Sequence, residues 1–339
     1  MAGFKDVIGQ KSVIAHMKKA LQLHTVSHAY IINGEKGMGK KLIADIFSTA
    51  LQCEAGGDEP CMECRSCKQA AGRNHPDIKW ITHEKPNLIS VDEIREQLVN
   101  DMGIKPYSSK YKIYIIDEGE KMNAAAQNTL LKTIEEPPAY GIVIILTANR
   151  EMLLQTILSR CVSLNLRAIS LDEVKKYLME RVNVPDYRAD MAAKFGGGNL
   201  GKSIDIASSD DFNQMKDDVV RVMKNLDKMS VSDINQTVKD MAVYKDNIDS
   251  YLNLIVTWFR DVLLCKAVSS EAGIVFREEA MSIHKQALRT TYDGLESIFR
   301  EIDEIKVRIK SNVNFDMSME LLFIKIRFSK HSNYDSTDC

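Results

Sequence analysis

The residues whose types and spacing best suit chemistry are the run Gly34-Glu35-Lys36-Gly37-Met38-Gly39-Lys40-Lys41. It follows the phosphate-loop pattern G-x-x-x-x-G-K-[ST] up to its last position. Glycines at 34, 37 and 39 let backbone N–H groups turn toward phosphate oxygens, and a helix start behind them adds positive dipole. Lys40 would reach the outer phosphates. Lys41 stands where a hydroxyl normally ligates Mg²⁺; an ammonium has no lone pair and brings positive charge toward the metal. The expectation is a phosphate-shaped pocket with impaired metal chemistry. ATP or ADP is the cofactor that such a pocket would take, and the residues leave open whether either binds.

The natural partner of that loop is Asp117-Glu118, at the end of an apolar run. In a competent hydrolytic site the first acid positions the metal and the second polarises the attacking water. Taken alone, two acids ending a strand are an ordinary solvated end.

Cys53, Cys61, Cys64 and Cys67 have the spacing C-x7-C-x2-C-x2-C. Four thiolates can close a tetrahedral, structural Zn²⁺ site with no open position for catalysis. Two disulfides are the alternative, and a reducing compartment disfavours them. His75 and His83 are nearby substitutes of little weight, and Cys161, Cys265 and Cys339 are scattered. Arg160, in Ser159-Arg160-Cys161, reads either as a helix-end cation or as a guanidinium aimed at a phosphoryl group bound in a neighbouring subunit.

The elements that must position these groups follow from periodicity. Residues 28–33, 78–82, 112–117, 142–147 and 162–166 are candidate strands, several of them nearly continuous apolar runs, as in parallel strands buried on both faces. Between them, 40–53, 91–102, 124–136 and 152–158 have helical spacing, with Ser90/Glu93 forming a capping box, Asn123 an N-cap and Pro137-Pro138 a stop. Strands alternating with helices imply a parallel α/β sheet. Beyond 167 the chain reads as all-α, with a capped helix from Ser170 toward Val182, a break at Gly196-Gly197-Gly198, and amphipathic stretches that include 248–267 and 292–310.

Composition narrows the class. The 339 residues are 45% apolar and 27% charged, with a formal charge of −2, which fits a folded chain and gives no global basic field. No signal peptide is visible, and the greasiest stretch, 250–268, carries Arg260 and Asp261 at its middle, so no membrane span and a cytoplasmic location are expected.

Together these motifs resemble the bacterial DNA polymerase III clamp-loader family of AAA+ proteins, and its delta-prime type most closely. Val7-Ile8-Gly9-Gln10 is similar to the family's opening motif, residues 128–138 to its central helix and turn, Thr147-Ala148-Asn149 to its sensor-1 strand end, and Asn312-Val313-Asn314 with Met319-Glu320-Leu321-Leu322 to its last helix. The resemblance implies an AAA+ P-loop module over 1–166 with a zinc-knuckle insertion at 53–67, a helical lid over 167–209, a helical collar over 210–330 and a disordered tail over 331–339. It implies nucleotide contacts by Thr147 and Asn149 and partnership with gamma/tau and delta subunits in a hetero-pentameric ring. That ring acts on a sliding clamp and primer-template DNA. It also implies that Arg160 is a trans-acting finger.

Two departures separate the chain from the family's motor subunits: Lys41, and Gly201 where those subunits carry a sensor-2 arginine. Lys202 is one place out of register. A stator without ATPase or polymerase activity of its own is therefore expected. An ATP-hydrolysing gamma/tau-type subunit is the nearest alternative. A zinc-dependent DNA-binding module is another, and with Arg65 the only base and no aromatic between Cys53 and Cys67 it lacks the usual means to grip a strand.

Overall fold

Five strands form one parallel sheet: β1 (Ala29–Asn33), β2 (Ile78–Ile81), β3 (Lys112–Ile116), β4 (Gly141–Thr147) and β5 (Val162–Asn165). A computed structural model describes residues 3–268, 273–311 and 313–329. The proposed tail, Cys339 and Asn312 lie outside the described residues. The strand order is β2-β3-β4-β1-β5, with Ile31 beside Ile145 and Ser163, and Ile115 beside Trp80 and Ile144.

Apolar runs without alternation arise where a strand feeds two cores, as the central strands β1, β3 and β4 do, whereas β5 places Leu164 in one core only. Tyr30, Ile32, Ile113, Ile115, Ile142 and Ile144 pack on one face with Met17 and Phe47. Ala29, Ile31, Tyr114, Ile116, Val143 and Ile145 pack on the other with Leu98, Leu130 and Ile157. The first face is covered by the helices Lys11–Gln22 and Lys40–Leu51, and the second by Ala124–Glu135 and the helical segment from Val91 to Met102. Successive side chains of a strand point to opposite faces, so burial on both sides requires this pattern.

The three expected caps are present. Ser90 and Glu93 exchange hydrogen bonds, Asn123 Oδ1 accepts from the Ala126 amide at 2.8 Å, and Ser170 Oγ accepts from the Glu173 amide at 3.3 Å. Two helical expectations are corrected. The 91–102 helix contains a π segment, Arg95–Val99, where Gln97 turns out to bond the Thr82 amide and carbonyl at 2.9 and 2.8 Å. The 152–158 stretch is a 3-10 turn, Arg150–Met152, followed by a short helix, Gln155–Leu158. Asn149 caps that turn by accepting from the Glu151 amide, and the extended Leu153 and Leu154 separate the pieces.

The chain divides into two compact units, Met1–Ala207 and Ser208–Cys339. The first adds a small apolar cluster to the sheet, in which Val174 and Leu178 meet Ala189, Ala192 and Ala193 from the helix Asp186–Gly196. Gly197, at φ +60°, ends that helix in the left-handed conformation that favours glycine. The second unit is helical around Trp258, whose indole N–H donates to Gln286 at 2.7 Å while Gln286 donates to the Met223 carbonyl at 2.7 Å. Among the described residues no helix is long and apolar enough to cross a membrane.

Candidate functional site: an occupied phosphate loop and a thiol cluster

Open parallel sheets gather ligands at the carboxyl ends of their strands. Here β1 runs into Gly34, β3 into Asp117 and β4 into Ala148. Gly37 and Gly39 have φ near +94° and +90°, and Gly39 caps the helix Lys40–Leu51. These are backbone shapes that a side chain resists, so the glycines serve conformation first.

Lys40 points back onto its own loop. Its ammonium donates to the Gly34 carbonyl at 2.5 Å and to the Glu35 carbonyl at 3.1 Å. Burial lowers its pKa, opposed by the nearby carboxylates of Glu120, Asp117 and Glu118. Lys41 forms an ion pair with Asp117, Nζ to Oδ2 at 2.6 Å. The residue at the hydroxyl position thus neutralises the acid that would share a metal with that hydroxyl.

Glu118 is also engaged. It sits at φ +52°, unusual for a residue with a side chain, and its carboxylate accepts from Lys121 Nζ at 2.6 Å, with His83 Nε2 at 3.7 Å. The Lys121 hydrogen bond holds its pKa below the ordinary glutamate range. Thr147 is fully buried, its hydroxyl bonded to the Asn149 carbonyl and amide at 3.1 Å each, and its own carbonyl accepts from the Gly34 amide. The side chains expected to sense nucleotide therefore shape their own turn. Asn149 also lines an open cavity of about 510 Å³ with Asn33, Gln155 and Asn165.

Arg160 follows the short helix Gln155–Leu158 and is 42% exposed in its side chain. Its guanidinium contacts the Thr156 carbonyl at 3.1 Å, Ser159 Oγ at 3.3 Å and Glu135 Oε1 at 3.0 Å. None of these partners belongs to the phosphate loop.

The four cysteines converge. The sulfurs of Cys53, Cys61, Cys64 and Cys67 lie within 4.8 Å of one another, and none is in a disulfide. Cys61 and Cys67 Sγ are 3.9 Å apart, against roughly 3.8 Å for two thiolates on one tetrahedral zinc. Amides of Cys61, Cys64 and Cys67 point at the sulfurs of Cys53, Cys61 and Cys64 at 3.4, 3.4 and 3.3 Å. Such donors stabilise thiolates, and the Cys64 and Glu63 amides pull the Cys61 thiol down to about 6. The donor set and its spacing fit a tetrahedral metal ion.

The sequence itself is matched over residues 9–170 by the family described as DNA polymerase III, delta subunit. The DNA polymerase III subunit delta′ of Bacillus subtilis is 27% identical over 94% of this chain and 96% of its own length. The chain is similar to subunits of DNA polymerase III. Bacillus subtilis DNA polymerase III subunit tau is 28% identical over 97% of the chain, which spans 62% of that relative's length. A solved gamma subunit-related protein of Thermotoga maritima aligns over 95% of this chain and 99% of its own, with a TM-score of 0.40 and 17% identity, too slight a likeness to carry weight.

In this chain sequence reasoning assigned Lys121, Glu135 and Asn199 no role at the site, and His83 only a weak one at the cysteines. Lys121 lies three residues after Glu118, a spacing that could have flagged the pair. The others are distant in sequence and become neighbours only through folding.

Proposed function

We propose that this chain is the delta-prime-type stator of a cytoplasmic DNA polymerase III clamp loader. It joins gamma/tau and delta subunits in a hetero-pentameric ring that places a sliding clamp on primed DNA. Its own nucleotide pocket is chemically silent, and Arg160 serves the ATP site of an adjacent subunit.

The ion pair of Lys41 with Asp117 carries this reading. A divalent cation in a phosphate-loop site needs an acid and a hydroxyl oxygen free to face it; here the acid faces an ammonium. Similarity to tau does not separate motor from stator, and the motor alternative loses ground on Lys41 and Gly201. Arg160 is exposed and tethered only by surface groups, so exchanging Glu135 for a phosphoryl group costs little. Zinc held by Cys53, Cys61, Cys64 and Cys67 has a structural role in this reading, because four thiolates leave no open position.

The test is ATP turnover by the full chain, alone and reconstituted with gamma/tau-type and delta-type subunits, clamp and primed DNA. Alone it should release negligible phosphate. Arg160→Ala should leave ring assembly intact and lower the clamp-stimulated turnover by roughly 10³-fold, the lower end of what an arginine finger contributes. Vigorous turnover by the lone chain sinks the silent pocket, and an unchanged rate in the reconstituted variant sinks the finger.

A further inference from the structure

Four consecutive carbonyls of the phosphate loop already have donors from this chain. Lys40 Nζ reaches those of Gly34 and Glu35, Asn199 Nδ2 donates to Lys36 at 2.8 Å, and the Gly201 amide donates to Gly37 at 3.0 Å. The last two come from the start of the helix Leu200–Ser208, more than 160 residues away in sequence.

We infer that Asn199 and Gly201 form a built-in latch, which holds the phosphate loop in one closed shape without nucleotide.

The contact is close enough to require particular residues on both sides. A Cβ at Gly201 would lie 2.6 Å from the Gly37 oxygen and 2.7 Å from the Gly37 Cα, which is backbone and cannot move aside as a side chain would. A Cβ at Gly37 would lie 2.6 Å from Asn199 Oδ1, at a φ of +94° that already resists substitution. Asn199 is only 2% exposed, and both ends of its carboxamide are used, since Oδ1 accepts from the Lys202 amide at 3.2 Å. The latch is itself braced. Gly198 accepts from the Ile169 amide at 2.9 Å, and Gly196 packs so tightly on Ser203 that a Cβ there would meet its hydroxyl at 1.8 Å.

A phosphate loop normally acquires its shape by wrapping an anion with N–H groups. Here the opposite, carbonyl side of the loop is fixed by protein donors, so the loop's order does not depend on a ligand. This deepens the silent-pocket reading and rests on it: the position that would contact nucleotide in a motor subunit instead contacts the loop.

The test is hydrogen exchange of the full-length chain without partners, followed over residues 34–41 and 197–204. The wild type should be protected in both segments without nucleotide, and adding Mg²⁺ and ATP should change neither. Gly201→Ala forces the helix off the loop, and Asn199→Ala removes one bond without a clash. Each should speed exchange in both segments by roughly fivefold or more, with 113–116 unchanged, the effect of losing about one net hydrogen bond. If Gly201→Ala does not fold, Asn199→Ala carries the test. The latch is overturned if these variants exchange like wild type, if the wild-type segments exchange as fast as the exposed Gly56-Gly57 turn, or if ATP alters them. Fast exchange alongside preserved Arg160-dependent turnover by the ring would remove the latch and spare the functional reading. Protected segments alongside turnover by the lone chain would do the reverse.

Discussion

At position 41 an ammonium replaces a hydroxyl, and the consequence is electrostatic before it is steric. Asp117 is largely enclosed, at 18% side-chain exposure, and a cation at 2.6 Å satisfies it without any metal. A comparable pairing deeper in the same unit gives a measurable pH dependence. Lys112 is buried at 4% exposure, and its ammonium meets Asp101 Oδ2 at 3.0 Å, while Lys79 and Tyr114 contact the same oxygen at 2.7 and 2.6 Å. Burial pushes the Asp101 carboxyl upward, but hydrogen bonds from Lys79, Tyr114 and Lys112 outweigh it and bring it to about 2. A carboxyl depressed on folding contributes stability that is fully present above its unfolded pKa, near 4, and is lost as pH falls through its folded pKa. Wild-type stability should therefore decline between about pH 4 and pH 2 more steeply than that of Asp101→Asn, as measured by urea unfolding across that range. Parallel slopes would show that Asp101 is not held low. The identity of Lys41 was legible in the sequence because a motif fixes what ought to stand there. Its choice of Asp117 was not, since a long side chain with several rotamers selects its partner only once β3 lies beside the loop.

The cysteine turn shows how far an element can be read from spacing. C-x2-C steps bring sulfurs and amides together whatever the surrounding fold, so the cluster follows from local geometry. The sheet was legible for a related reason: burial on both faces leaves an apolar run that needs no partner to be recognised. The π segment at Arg95–Val99 and the broken 150–158 stretch were not, because each depends on a distant group. Gln97 has Thr82 as its partner, and Gln127, from a different helix, donates to the Met152 carbonyl at 3.0 Å and accepts from the Leu154 amide at 2.7 Å. In the cysteine turn, Cys64 has two tasks that a substitution can separate. It supplies one sulfur of the cluster, and as N-cap of the helix Arg65–Ala71 it accepts from the Cys67 amide. Serine is among the best N-cap residues, so Cys64→Ser keeps the cap and removes the thiolate. With metal bound to the wild type, that variant should melt at the temperature of wild type treated with a chelator, and chelator should not lower it further. Equal melting of metal-loaded wild type and variant would show that the cluster holds no stabilising ion.

For the whole molecule, alternating strands and helices followed by helices alone were visible in the sequence, whereas the division after Ala207 depends on which helices pack together. The two tryptophans fall one in each unit, Trp80 on β2 and Trp258 in the helix Ile248–Val268, so single-tryptophan variants can follow each unit separately. The second unit contains a fully buried acid, Asp261, whose Oδ2 accepts from the amides of Val275 and Phe276 at 2.8 and 2.9 Å. Truncating it strands two buried donors, and each stranded group costs about 1–3 kcal/mol. Asp261→Ala should therefore lower the stability seen by Trp258 by at least about 2 kcal/mol. The transition seen by Trp80 should move by less than about 0.5 kcal/mol, the scatter expected of distant sites. Equal shifts at both tryptophans would mean that the units unfold as one body and that the division in packing is not a division in stability. A shift confined to Trp258 would give a chain whose helical unit can be weakened or strengthened without disturbing the phosphate loop, the latch or Arg160, because the sheet that positions them draws its stability from the two cores on its own faces.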